Sequence, residues 1–176
     1  MVSGRSIHGN FCCEVVSIFD TYGKGFERPA EPLPANLGAL SDCVKANGCA
    51  VGFAQDPDGD RISLVSGSGA IPGVQNSALL IAEHLIRKKQ SGAIVLNIQT
   101  TMAIEQIARQ YGVRVIYSPV GEVNVTDAMN ASKAFLGVEG SSGGIIYPEI
   151  SMCRDSYAAM ALVLERMAQR EKTIDS

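Results

Sequence analysis

The sequence predicts an α/β protein in which mixed sheets pack between helices. Short runs rich in β-branched residues alternate with segments whose apolar residues recur at helical spacing. Glycine, proline and asparagine lie between these segments, where the chain has to turn. A chain of 176 residues, 46% hydrophobic and 19% charged, can bury a core in one ordinary domain or two small ones. Strands that alternate with helices are typical of a layered α/β architecture.

The N-terminal part predicts a strand, an extended segment, a helix and a hairpin, in that order. Residues 14–19 are rich in β-branched side chains and predict a buried strand. Residues 28–34 contain three prolines and predict an extended linker. Apolar residues on one face indicate a helix over 36–46, which Asn47 and Gly48 end. The hairpin follows, with strands predicted over 51–54 and 62–65.

Beyond about residue 70 the pattern predicts a regular alternation of strands and helices. Asp155 is a candidate N-cap for the last helix. Binding residues of such a fold belong on loops at strand ends. The predicted helices cover 74–89, 101–111, 123–132 and 156–170, and the predicted strands cover 93–98, 113–117, 134–138 and 145–147.

The loop between the two strands of the hairpin carries the strongest chemical signal. Asp56, Asp58 and Asp60 alternate with Pro57 and Gly59 in what we call the acidic loop, residues 56–61. A tightly bent backbone lets alternate carboxylates converge on one hard cation. The arginine that follows, Arg61, could hold a phosphate group beside that cation.

Other acidic motifs fit less well, and a solvated turn is the simplest alternative. An EF-hand loop that begins at Asp56 needs glycine at its sixth position and glutamate at its twelfth. Those positions hold Arg61 and Gly67, which excludes an EF-hand. An aspartate-nucleophile phosphatase needs a downstream lysine and a second acidic cluster, and no convincing pair follows residue 90.

Composition narrows the function classes further. A formal charge of −3 and the lack of a basic stripe argue against nucleic acid as a partner. The five cysteines form no Cys-x-x-Cys motif, and two histidines are too few for a histidine-rich metal site. The chain shows no signal peptide and no apolar run of membrane-spanning length. We therefore expect a cytoplasmic protein with no membrane partner.

Five segments in order resemble the α-D-phosphohexomutases, the phosphoglucomutase, phosphomannomutase and phosphoglucosamine mutase family. The second segment contains the acidic loop and resembles the family's magnesium loop. The fourth resembles its sugar-binding loop. The five segments are residues 29–37, 53–64, 117–125, 136–149 and 153–155.

The resemblance implies two α/β lobes, the first of them incomplete. Residues 1–68 would form the C-terminal part of the family's domain II, and 70–176 its domain III. Asp56, Asp58 and Asp60 would bind Mg²⁺, and Arg61 would be catalytic through contact with phosphate. The substrate-binding residues would be Gly121, Glu139, Ser141 and Ser142. The implied reaction is an isomerisation of carbohydrate metabolism, which transfers phosphate between the 1- and 6-positions of hexose or hexosamine phosphates.

The chain also departs from the family pattern. The phosphoserine domain and the phosphate-clamp domain do not occur in the sequence, so we expect the isolated chain to be inactive. Gly144 stands where many members have histidine, and one residue is inserted among 140–144. The alternatives are a non-catalytic binding or assembly module, which would form homo-oligomers through surface that the missing domains expose, and a stand-alone metal-dependent phosphatase.

Overall fold

The computed structural model describes residues 13–140, 143–171 and 173–175. Its first part is a helix on a two-stranded hairpin. The 3₁₀ turn Pro34–Asn36 leads into α1, Gly38–Ala46, and strands β1, Val51–Gln55, and β2, Ile62–Ser66, pair antiparallel. Leu37, Leu40 and Val44 bury one face of the α1 region against the hairpin. The apolar residues whose spacing predicted this helix are therefore the ones that pack it against the hairpin.

The larger part is a four-stranded sheet with strand order β4-β3-β5-β6. β3 pairs in parallel with both β4 and β5, whereas β6 runs antiparallel to β5. These strands are β3, Ala93–Asn97, β4, Arg114–Ser118, β5, Leu136–Glu139, and β6, Gly144–Ile146. The helices are α2, Val74–Lys89, α3, Met102–Gln110, α4, Glu122–Ser132, and α5, Ser156–Arg170.

Helices cover both faces of this sheet. Alternate residues of β3 point to opposite faces, as the pleat requires. Ile94 and Leu96 pack with α2, α3 and α5, whereas Val95 packs with α4 on the other face. None of the described helices is long and apolar enough to cross a membrane.

The hairpin and the larger sheet share one apolar core. Ile62 and Leu64 of β2 are buried in the same cluster as side chains of α2 and α5. Contacts of α2 and α5 with β2 continue this packing along the strand. The acidic loop therefore leads directly into a strand, β2, that is fixed by the core of the larger sheet.

The structure confirms the predicted α/β class and every predicted helix and strand from residue 36 onward, with small shifts in bounds. The strand predicted over 14–19 is wrong, because these residues form no strand. Val15 and Val16 are 44% and 46% exposed. β-branched composition favours a pleated, half-buried surface, but a strand also needs a paired neighbour, which this segment lacks within the described chain.

Candidate functional site

The acidic loop brings its three carboxylates together. Oxygen atoms of Asp56, Asp58 and Asp60 all lie within 4.8 Å of one another. Gly59 closes the turn with φ +73°, a conformation that side-chain-bearing residues rarely adopt, and its N–H donates to the Asp56 carbonyl at 3.2 Å. The convergence that the alternate spacing predicted is therefore present.

Asp56 and Asp60 lie in different electrostatic environments. Burial alone would raise the pKa of Asp56, but its contacts with the Asp60 carboxyl and with Arg61 outweigh burial and lower it. Arg61 donates to this carboxylate through its backbone N–H at 3.1 Å and through Nε. Burial and the neighbouring carboxyl of Asp56 raise the pKa of Asp60 to about 6, against the opposing effect of Arg154.

The loop fits a divalent cation on its own geometry. Asp60 Oδ1 is buried and accepts no hydrogen bond within the described part of the chain, although Arg61 Nε lies 3.4 Å from it. A buried acceptor without a donor is costly unless another group satisfies it. With two further carboxylates beside it, this oxygen suits a hard cation that takes oxygen ligands.

The Arg61 side chain pairs with carboxylates at the edge of the acidic loop. Its Nη1 and Nη2 donate to the two carboxylate oxygens of Glu31, at 2.5 and 3.0 Å. Glu31 belongs to the proline-rich segment, and its side chain is 50% exposed. Arginine also binds phosphate groups through bidentate contacts of this kind.

The N-terminus of α5 anchors the acidic loop from the other side. The Ser156 N–H donates to the Gly59 carbonyl at 3.2 Å, and Ser156 Oγ donates to the same oxygen. Gln55 Nε2 donates in turn to Ser156 Oγ. Asp155 caps the helix as predicted, because its carboxylate accepts from the N–H groups of Tyr157 and Ala158 at 2.8 and 3.0 Å.

The predicted sugar-binding glutamate lies at the carboxyl end of β5. Glu139 is 6% exposed, and its Oε1 accepts from the Gly121 N–H at 2.8 Å. Next to it, the Gly140 N–H donates to Thr100 Oγ1 at 3.0 Å, which ties the turn to the loop after β3. Glu139 and Gly121 are thus in direct contact. Ser141 and Ser142, which were predicted beside them, lie outside the described residues.

Arg154 joins the two halves of the site. Its guanidinium contacts Asp60 Oδ2 at 2.5 Å, Glu122 Oε2 at 2.7 Å and Glu139 Oε2 at 3.0 Å. The acidic loop and the Glu139 turn are therefore separated by one side chain. Arg154 lies in the family-like segment 153–155, but no role was predicted for it from the sequence.

Comparison with known proteins identifies the family. The family model described as phosphoglucomutase/phosphomannomutase, alpha/beta/alpha domain III, matches residues 75–176, and the domain II model matches residues 6–69. The chain belongs to this phosphoglucomutase/phosphomannomutase family. The match covers both the acidic loop and the Glu139 turn.

Individual family members support the assignment. A Methanopyrus kandleri protein named as a phosphoglucosamine mutase is 28% identical over 165 residues, which are 92% of this chain and 36% of that protein. A phosphoglucomutase/phosphomannomutase of Thermococcus kodakarensis is 30% identical over 91% of this chain and 35% of its own length. The chain therefore spans about a third of the length of these curated relatives.

Solved structures of the family share the fold. A Thermus thermophilus protein named as a phosphomannomutase superposes with a TM-score of 0.76 at 28% identity, over 83% of this chain and 33% of that chain. A Burkholderia thailandensis phosphoglucomutase/phosphomannomutase family protein superposes with a TM-score of 0.69 at 26% identity, over 77% of this chain and 30% of that chain.

Proposed function

We propose that the chain forms the cation-binding and sugar-binding part of a phosphohexomutase. Such an enzyme transfers phosphate between the 1- and 6-positions of hexose or hexosamine phosphates. The observation that carries the proposal is that Asp60 and Glu139 both contact the Arg154 guanidinium, in a chain that belongs to this family. The two matched ranges end at residue 69 and begin at residue 75, which supports a boundary between domain II and domain III close to the predicted residues 68–70.

On this proposal the acidic loop holds Mg²⁺ through Asp56, Asp58 and Asp60. When bound there, Mg²⁺ would stabilise the negative charge that develops on a transferring phosphoryl group. Arg61 would hold a phosphoryl oxygen with its outer N–H groups once Glu31 releases them. Asp56 would keep the Arg61 side chain in place through Nε throughout.

Glu139 would orient the sugar ring. A carboxylate can accept hydrogen bonds from two neighbouring hydroxyl groups, because each oxygen has two acceptor positions. The Gly121 N–H donates to one Glu139 oxygen and Arg154 contacts the other, so the carboxylate is held in a defined orientation. Ser141 and Ser142 follow Glu139 closely in the sequence and are proposed to share this role.

We further propose that the 176-residue chain alone does not catalyse the mutase reaction. Phosphoryl transfer needs a donor within bonding distance of the acceptor, and no residue of this chain is assigned as that donor. A coupled assay with hexose 1-phosphate and a 1,6-bisphosphate activator tests this, and clear turnover by the purified chain would overturn it. Phosphate release from generic esters would favour the stand-alone phosphatase instead.

Calorimetric titration with Mg²⁺ tests the cation site directly. The informative variant is Asp58→Asn, because Asp58 is exposed and the substitution should leave the core intact. Asp42→Asn is the matched control, since Asp42 is an aspartate on α1 whose side chain is 79% exposed and pairs only with Lys45 among the described ion pairs. We expect binding by the wild type and the control and loss of binding in Asp58→Asn. The absence of binding in all three proteins would reject the cation site.

An assembly role is the second candidate. Residues 13–17, α1 and α5 line an apolar cavity of about 430 Å³, with Val16, Leu40 and Met160 among its walls. Val15 and Val16, which both line it, are 44% and 46% exposed, and exposed apolar side chains favour association between chains. Light scattering tests the predicted homo-oligomer, and a strictly monomeric chain would count against it. The predicted cytoplasmic location remains to be tested by cell fractionation.

A further inference from the structure

We propose that Arg154 is a positioning residue that couples cation occupancy of the acidic loop to the geometry of the Glu139 turn. This inference rests on the proposed function, since it assumes that the acidic loop takes a divalent cation. Arg154 itself would touch neither the cation nor the sugar. It would act through Asp60 on one side and Glu139 on the other.

The three nitrogens of the guanidinium each contact a carboxylate from a different segment. Nη2 contacts Asp60 of the acidic loop, Nε contacts Glu122 at the start of α4, and Nη1 contacts Glu139 at the end of β5. A guanidinium is planar and its donors are fixed relative to one another. A movement of the group toward one carboxylate therefore changes its contacts with the others.

The stem of Arg154 is held in place by β6. The Asp155 N–H donates to the Ile145 carbonyl at 3.1 Å, and Arg154 forms an isolated antiparallel bridge with Ile146. A Cβ added at Gly144 would lie 2.4 Å from Arg154 Cδ, so glycine leaves the space in which the arginine stem lies. The side chain is only 21% exposed. Arg154 is thus part of the packed structure rather than a loose surface arginine.

A cation on the acidic loop would change the balance of these contacts. Positive charge beside Asp60 offsets the attraction between its carboxylate and Arg154, which leaves the guanidinium more strongly paired with Glu139 and Glu122. The position of the Glu139 carboxylate would change, and with it the environment of the Gly121 N–H that donates to it. Because coupling between binding sites is reciprocal, a hydroxyl group bound at Glu139 would alter cation affinity, typically by about 5- to 150-fold for coupled sites.

The test is nuclear magnetic resonance of the ¹⁵N-labelled 176-residue chain titrated with MgCl₂, with calorimetry of the same samples. In the wild type we expect the Gly121 amide resonance to move as Mg²⁺ saturates the site. In Arg154→Gln we expect Mg²⁺ still to bind but the Gly121 response to be lost. Arg109→Gln is the matched control, since Arg109 is 74% exposed and pairs with Glu105 on α3. The control should keep the wild-type response.

A second variant covers the case in which Arg154→Gln does not fold. Arg154→Lys keeps the charge but replaces the planar fork with one ammonium group, so we expect it to weaken the Gly121 response. An equal Gly121 response in wild type and in the folded Arg154 variant would overturn the coupling and leave the cation site standing. So would Mg²⁺ binding without any Gly121 response in the wild type. No Mg²⁺ binding by the wild type would instead reject the proposed cation site and this inference together.

Discussion

At the scale of single residues, Gly144 is a position of the site at which a side chain would meet Arg154. Gly144→Ala would place its Cβ against Cδ of Arg154, which cannot withdraw without leaving its three carboxylates. Overpacking of this kind costs about 1–3 kcal/mol. Chemical denaturation should therefore show a lower free energy of unfolding for Gly144→Ala.

Gly38→Ala is the control for this substitution. Gly38 begins α1, and a Cβ added there meets nothing within 4 Å. Alanine at such a position is expected to be neutral or to stabilise by up to about 1 kcal/mol, because it restricts the unfolded chain. Equal stability of the Gly144→Ala variant and the wild type would show that Arg154 can shift at no cost.

Glu31 provides a second test at this scale, on the assumption that Arg61 holds phosphate. Its carboxylate occupies the two outer nitrogens of Arg61, so it competes with any phosphoryl group for them. Glu31→Gln should tighten the binding of inorganic phosphate, measured by ³¹P resonance titration. An exposed ion pair of this kind contributes about 0.2–1 kcal/mol, which corresponds to an affinity gain of up to about fivefold.

Glu27→Gln is the matched control for Glu31→Gln. It removes a carboxylate from the neighbouring segment that pairs with Lys24 at 3.8 Å and makes no described contact with Arg61. Phosphate affinity should not rise in this variant. Weaker phosphate binding by Glu31→Gln would mean that Glu31 orients Arg61 for its ligand instead of competing with it.

At the scale of elements, the first turn of α5 supports the acidic loop. Ser156→Ala removes a buried hydroxyl that donates to the Gly59 carbonyl and accepts from Gln55. The Gly59 carbonyl keeps the Ser156 N–H as a donor, but the buried Gln55 Nε2 loses its acceptor, which should cost about 1–3 kcal/mol in the free energy of unfolding. We also expect Mg²⁺ affinity to fall, since the turn at Gly59 sets the spacing of the aspartates. The exposed Ser91→Ala serves as control, and unchanged stability and Mg²⁺ affinity in Ser156→Ala would contradict the anchor.

The elements also show what the sequence could and could not predict. Helical spacing of apolar residues was sufficient for α1 and α5, and alternate aspartates after a strand predicted the convergence in the acidic loop. The strand predicted over 14–19 failed because pairing depends on a neighbour that local composition cannot reveal. Arg154 was missed for a similar reason, since its partners lie far away in the sequence and only the packed structure brings them together.

At the scale of the whole molecule, the shared core predicts one cooperative unfolding transition. Leu64 belongs to the hairpin but is fully buried with side chains of α2 and α5. Leu64→Ala should lower the free energy of unfolding by about 2–5 kcal/mol and leave a single transition, followed by circular dichroism and tyrosine fluorescence. Leu33→Ala, at a side chain that is 48% exposed, should have little effect. Two separate transitions would show that the hairpin unfolds independently of the larger sheet.

The α2–α5 interface makes the stability of the molecule depend on pH. Burial alone would raise the pKa of Glu83, but its contacts with Arg170, Arg87 and Arg166 outweigh burial and lower that pKa below its usual 4.5. A carboxylate whose pKa is lower in the folded state stabilises the fold above the unfolded-state pKa. That stabilisation disappears as pH falls through the folded-state value.

Glu83→Gln should therefore destabilise the protein at neutral pH and lose its effect in acid. Arg166 is 4% exposed, and the variant would remove the carboxylate that it contacts at 3.5 Å. Unsatisfied buried groups of this kind cost about 1–3 kcal/mol. Urea denaturation at pH 7 should show that difference, and the stabilities of wild type and variant should converge in acid, as pH falls through the lowered folded-state pKa of Glu83. The exposed Glu171→Gln is the control and should match the wild type both at pH 7 and in acid. If the difference between Glu83→Gln and the wild type persists in acid, side-chain packing rather than charge accounts for it.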